Sequence, residues 1–117
     1  MVGLGNQDIT ADSLGPRAVG NIHMTRHVIR EYGLKSCSHM KMHQISGIVP
    51  GVMAQTGMET LEIVQGVVAE TKPDVVIAID ALAARSTARL NRTIQITDTG
   101  ISPGSGVGNH REGLNEE

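Results

Sequence analysis

Two carboxylates in this chain are placed to do chemistry, Asp12 and Asp80. Asp80 closes the run Val75-Val76-Ile77-Ala78-Ile79, which is short and continuously apolar. Such a run reads as a strand buried on both faces, as in the middle of a parallel sheet. A charge at its end sits at the mouth of the sheet, where open α/β folds hold ligands. Asp12 follows a second apolar run, Met1-Val2-Gly3-Leu4-Gly5. If the two strands are neighbours, the carboxylates come close enough to share a proton. One then acts as base and the other as acid, and together they can activate water against an amide. Each also has a plainer reading, Asp12 as a helix N-cap and Asp80 as the cap of a turn at Ala81. Asp98 is a third candidate, with a turn at Thr99-Gly100 as its plainer account.

Other groups point less far. Gly3 and Gly5 at a strand end suggest a dinucleotide loop, but Asp8 stands where the third glycine belongs, so no cofactor is expected. His23 and His27 are four apart and would share a helix face, yet no HExxH surrounds them and no third ligand is evident. No metal is therefore assigned. His39, His43 and His110 lie in segments without a clear partner, and the single cysteine, Cys37, stands near His39 but has no second cysteine and no evident base-orienter pair, so it reads as a small buried residue.

The elements that must position Asp12 and Asp80 follow an α/β order. A strand at residues 1–5 leads through a loop to a helix from Leu14 to Glu31, carried by Leu14, Ala18, Ile22 and Ile29 and stopped at Gly33. Residues 44–49 read as a short strand ended by Pro50-Gly51, and residues 51–57 as a loop. Thr56-Gly57-Met58-Glu59 has capping-box spacing, so the helix bearing Leu61, Val64 and Val68 starts there and ends near Lys72. After the strand Val75–Ile79, residues 81–85 are helix-prone, and Thr93-Ile94-Gln95-Ile96-Thr97 alternates as a half-buried strand. Helical crossovers imply a mostly parallel sheet, with a mixed one allowed after Arg85.

The totals narrow the classes. The 117 residues suit one domain, 1–117, with a polar, glycine-rich loop or disordered stretch at about 102–117. A net charge of -2 and the lack of a Lys/Arg cluster argue against direct nucleic-acid binding. No apolar run is long enough to span a bilayer, so no membrane role is expected. One cysteine suits a reducing, cytoplasmic setting. Tyr32 is the only aromatic residue, which limits the burial that a core can supply. Both ends look cut, and the chain reads as a fragment of a longer protein.

Five stretches carry a resemblance. They are residues 2–6 (VGLGN), 9–16 (ITADSLGP), 50–57 (PGVMAQTG), 76–85 (VIAIDALAAR) and 96–109 (ITDTGISPGSGVGN). In order and together they closely resemble the germination protease family of spore-forming bacteria. The resemblance implies an endopeptidase that degrades small acid-soluble spore proteins in the spore core during germination. It implies an atypical aspartic peptidase, made as a zymogen, self-processed and homotetrameric. The family's two proposed catalytic aspartates fall on Asp12 and Asp80. Beside that resemblance, Asn6 and the backbone near Gly3 and Gly5 are expected to position the scissile amide. The implied fold is a three-layer α/β/α sandwich, similar to that of hydrogenase maturation peptidases. Ala11 stands where the family pattern has proline, and family members are much longer.

Two rivals remain at this point. Thr25-Arg26-His27 with Gly3-Leu4-Gly5-Asn6 superficially resembles peptidyl-tRNA hydrolase, an esterase in which His27 would line the same cleft as Asn6. A non-catalytic α/β binding segment would instead hold Asp12 and Asp80 far apart, each satisfied as a helix cap.

Overall fold

The computed structural model describes residues 1–33, 43–82 and 93–100. In chain order the elements are strand β1 (Val2–Gly3), a 3-10 turn (Thr10–Asp12), helices α1 (Leu14–Gly20), α2 (Arg26–Tyr32), α3 (Met53–Thr56) and α4 (Thr60–Thr71), and strand β2 (Ala78–Ile79). Helices with a small parallel sheet give the α/β class expected.

β1 and β2 run parallel, with Val2 opposite Ala78 and Gly3 opposite Ile79. Val2 N–H donates to the Ile77 carbonyl, and Leu4 N–H to the Ile79 carbonyl, each at 2.8 Å. The other edge of β1 meets Ile48 in a parallel bridge. There Gly3 N–H donates to the Ile48 carbonyl at 2.9 Å, and Ile48 N–H to the Met1 carbonyl at 3.0 Å. β1 is therefore the inner segment, with both edges bonded. The strand expected over residues 44–49 contracts to this single bridge.

Side chains alternate across a strand, so Val2 and Leu4 share one face and Gly3 takes the other. Val2 and Leu4 are buried with Val64 of α4, and Ile48, Val68 and Ala78 pack around them. On the Gly3 face, α1 lies against the strand. A Cβ on Gly3 would strike the Gly15 carbonyl and come within 2.9 Å of Val19 Cγ2. Glycine at both places lets helix and strand approach backbone to backbone.

Several expectations are corrected. The helix from Leu14 to Glu31 is two helices, broken at residues 21–25. Asn21 turns its Nδ2 back to the Arg17 carbonyl at 2.7 Å and ends α1. Thr25 is held by a different segment: its hydroxyl donates to the His43 carbonyl and accepts Ile45 N–H at 2.8 Å. Those tertiary bonds override the helical periodicity, and Leu14, placed in the apolar stripe, is exposed. The stop at Gly33 holds, with a positive φ of 74°.

The loop at 51–57 contains the single turn α3, whose Gln55 Oε1 accepts Val52 N–H at 3.3 Å. The start of α4 is not built by a capping box. Thr56 Oγ1 accepts Met58 N–H at 3.1 Å, and Glu59 holds the N-cap position without a side-chain cap. The strand Val75–Ile79 is shorter and less buried than expected. Only Ala78 and Ile79 pair within it, and Val75 is 73% exposed. Residues 93–97 form no strand, and after Thr93 they are exposed. Ile94 and Ile96 are 90% and 93% exposed, because alternation alone supplies no ladder partner. Residues 81–82 are not helical. The expectations for Cys37, His39, the rest of the 81–85 segment and the 102–117 tail lie outside the described residues.

Candidate active site

The parallel pairing of β1 and β2 brings their carboxyl ends side by side, and both aspartates lie just beyond them. The bond from Leu4 to Ile79 is the last rung between the two strands among the described residues, and Asp80 is the next residue. Asp80 is half-buried, and its Oδ1 accepts Ala81 N–H at 2.9 Å. Asp12 ends the 3-10 turn and is held back against the end of β1. Its Oδ2 accepts Asn6 N–H at 2.8 Å. Gly5 lies directly beneath, where a Cβ would strike the Asp12 carbonyl and come within 3.1 Å of its Oδ1.

The charge of Asp12 acts on Asp80. Burial pushes the Asp80 carboxyl above its ordinary value, the bond from Ala81 pulls it down, and the charge of Asp12 pushes it up again. Among the described residues, each aspartate has one oxygen anchored by a backbone N–H and a second without a hydrogen bond. The arrangement can hold a proton on one carboxyl while the other accepts one.

Gly15 sits where these ends meet. A Cβ there would collide with the carbonyl oxygens of Leu4 and Ile79 and lie 2.6 Å from Leu4 N. The start of α1 thus rests on both strands at once, which ties the Asp12 turn to the strand that presents Asp80. Asp12 is no helix cap: Ser13 holds the N-cap position of α1, and no side chain caps it. Sequence reasoning missed Gly15, although the glycine two residues after a cap followed by Pro16 was a visible signal of close packing.

Asn6 occupies the loop between β1 and the turn. Its Oδ1 accepts Asp8 N–H at 2.9 Å, and its carbonyl accepts Ile9 N–H at 3.2 Å. Asp98 is exposed, in a turn where the hydroxyls of Thr97 and Thr99 lie 2.7 Å apart. His23 lies in the break between α1 and α2 and His27 on α2, so the pair shares no helix face. His27 is exposed, and α2 is tied at its start to Ile45 by bonds from Thr25 and Arg26. That is the amino end of β1, near the bonds between Met1 and Ile48, whereas Asn6 follows the carboxyl end. An esterase site joining His27 to Asn6 is not formed.

An apolar groove of about 280 Å³ lies beside Met1, Ser46, Val68, Thr71 and Val75, at the amino ends of the strands and away from both aspartates. Among the described residues no group of three His, Cys, Asp or Glu side chains could hold a metal ion. No helix among them is long and apolar enough to cross a membrane.

The sequence matches the germination protease family over residues 1–117. The chain belongs to that family. It is 52% identical to a germination protease of Geobacillus sp. (strain WCH70) over 123 residues and 52% identical to that of Bacillus subtilis (strain 168) over 118 residues. A germination protease of Bacillus mycoides (strain KBAB4) is 51% identical over 123 residues. Each of these alignments covers 100% of this chain and 31% of the relative. The chain thus spans about a third of the length of the relatives it matches.

Proposed function

We propose that this segment carries the paired-carboxylate site of a germination endopeptidase that degrades small acid-soluble spore proteins in the spore core. The observation that supports it is that Asp12 and Asp80 both follow the adjacent carboxyl ends of β1 and β2, with the charge of Asp12 acting on Asp80. Asp12 takes a proton from water as the water oxygen attacks the scissile carbonyl. Asp80, which burial keeps protonated to higher pH, gives its proton to the carbonyl oxygen. The resulting diol collapses as a proton passes to the leaving nitrogen. Neither step needs a nucleophilic side chain.

The wider architecture is read as a three-layer α/β/α sandwich, like that of hydrogenase maturation peptidases. Supporting it, α1 lies on the Gly3 face of β1 while Val64 of α4 meets Val2 and Leu4 on the other. Synthesis as a self-processed zymogen and assembly as a homotetramer belong to the same proposal and rest on family membership alone.

The test uses a full-length family member. Asn is placed at the positions matching Asp12 and Asp80, separately, and digestion of a small acid-soluble spore protein is followed by gel. Circular dichroism checks the fold. Loss of cleavage in both folded variants supports the pair. A variant that keeps near-parental cleavage removes its aspartate from the mechanism.

A further inference from the structure

We propose that Asn6 is a positioning residue for Asp12, acting through the carboxylate and not on the scissile amide. The inference rests on the paired-carboxylate reading and deepens it. Three bonds fix Asn6 in its loop. Its side-chain oxygen accepts Asp8 N–H at 2.9 Å, its carbonyl accepts Ile9 N–H at 3.2 Å, and its own N–H donates to Asp12 Oδ2 at 2.8 Å. The first is an Asx turn, in which a short side chain mimics a backbone turn and locks its own residue. Locking Asn6 aims its N–H at the carboxylate six positions along the chain.

Gly5 completes the device. Its φ of 119° is closed to ordinary side chains and turns the chain so that the next N–H faces Asp12. The Asp12 backbone then fills the space that a Gly5 side chain would need. The loop from Gly5 to Asp12 is therefore one closed unit, with a carboxylate held at one end by an amide oriented at the other. The acceptor end of the Asn6 carboxamide is engaged in this turn. Oδ1 is bonded within the loop, and the planar amide fixes the direction of Nδ2 with it.

The chemistry makes a sharp distinction among variants. Serine keeps a short, neutral acceptor for the same turn. Glutamine keeps the carboxamide but is one methylene too long to close it. A substrate-contacting residue would tolerate glutamine better than serine, and a turn-forming residue the reverse.

The experiment places Ala, Ser and Gln at the position matching Asn6 in a full-length family member and measures kcat and KM on a small acid-soluble spore protein, with thermal melting of each. Ala and Gln are expected to lower kcat about 10- to 100-fold with KM within about twofold, as expected for a misplaced catalytic group. Ser is expected to recover kcat to within about fivefold of the parent, since it keeps the turn acceptor. Gln near the parental rate, a rise in KM with kcat kept, or parental kcat in all three overturns the inference. If Ala does not fold, the Ser and Gln pair decides. Asn at the Asp12 and Asp80 positions is run alongside. Activity there removes the carboxylate pair itself, whereas inactive aspartate variants beside fully active Asn6 variants remove only the role of Asn6.

Discussion

Leu4 donates its backbone N–H to the Ile79 carbonyl at 2.8 Å, and this bond joins the two halves of the candidate site. Leu4 is the last buried residue before the loop that holds Asp12, and Ile79 is the residue before Asp80. The two aspartates are 68 positions apart in sequence (80 − 12), yet one rung of a parallel ladder sets where both begin. The same two backbones receive α1 through Gly15, so strand pairing and helix docking fix the same point.

Gly15→Ala should disturb this point more than any surface change. Its new methyl would meet two carbonyl oxygens, which are backbone and cannot step aside. Overpacking of this kind costs about 1–3 kcal/mol. Gly66→Ala is the contrast: it lies in the middle of α4 with open space at its Cβ, and should stabilise by about 1 kcal/mol through helix propensity. Urea unfolding of the two variants should show midpoints moving in opposite directions.

Asp80 gives the fold a pH dependence of known sign. Its folded carboxyl titrates above the ordinary value, mainly because burial penalises the charge. Between the ordinary and the raised value the folded state therefore binds more protons than the unfolded one, and stability from this group falls as pH rises through that window. Asp80→Asn removes the charge while keeping an oxygen for Ala81 N–H. The variant should be more stable than the parent at neutral pH, with the gain vanishing as the pH falls below the ordinary carboxylate value. Denaturant melts across that range check it, and a gain independent of pH would contradict it.

Thr25 is a buried hydroxyl with two jobs, donating to the His43 carbonyl and accepting Ile45 N–H. Thr25→Val keeps the shape and loses both bonds, which should cost about 2 kcal/mol. Thr25→Ser keeps the hydroxyl and should cost about 1 kcal/mol for the lost methyl. Thermal melting of the two variants should rank serine above valine.

Much of this arrangement is legible in the amino-acid order. Apolar runs ahead of Asp12 and Asp80 mark two strand ends, but that these two strands pair directly is seen only in the β1–β2 register. The extent of α4 follows from Leu61, Val64 and Val68, and its end at Lys72 from the break before Pro73. What the order hides is long-range. Nothing local to Thr25 announces that His43 and Ile45 will claim its hydroxyl and split a helix. Val75, Ile94 and Ile96 have the composition of strand residues, but strand formation depends on a partner that composition does not name. The sequence places Asn6 beside Gly3 and Gly5 but does not show what it bonds. Its bonds to Asp8 and Asp12 depend on a loop shape that is set by the φ of Gly5.

The most direct test of the pair is a double-mutant cycle. Asn replaces the aspartates matching Asp12 and Asp80, singly and together, in a full-length family member, and kcat is measured on a small acid-soluble spore protein. Each single change should lower kcat by at least about 10³-fold, and the double change should cost no more than the worse single, because groups acting as one unit are not additive. Costs that multiply in the double variant would mean two independent contributions, and a single variant near the parental rate would mean no pair at all.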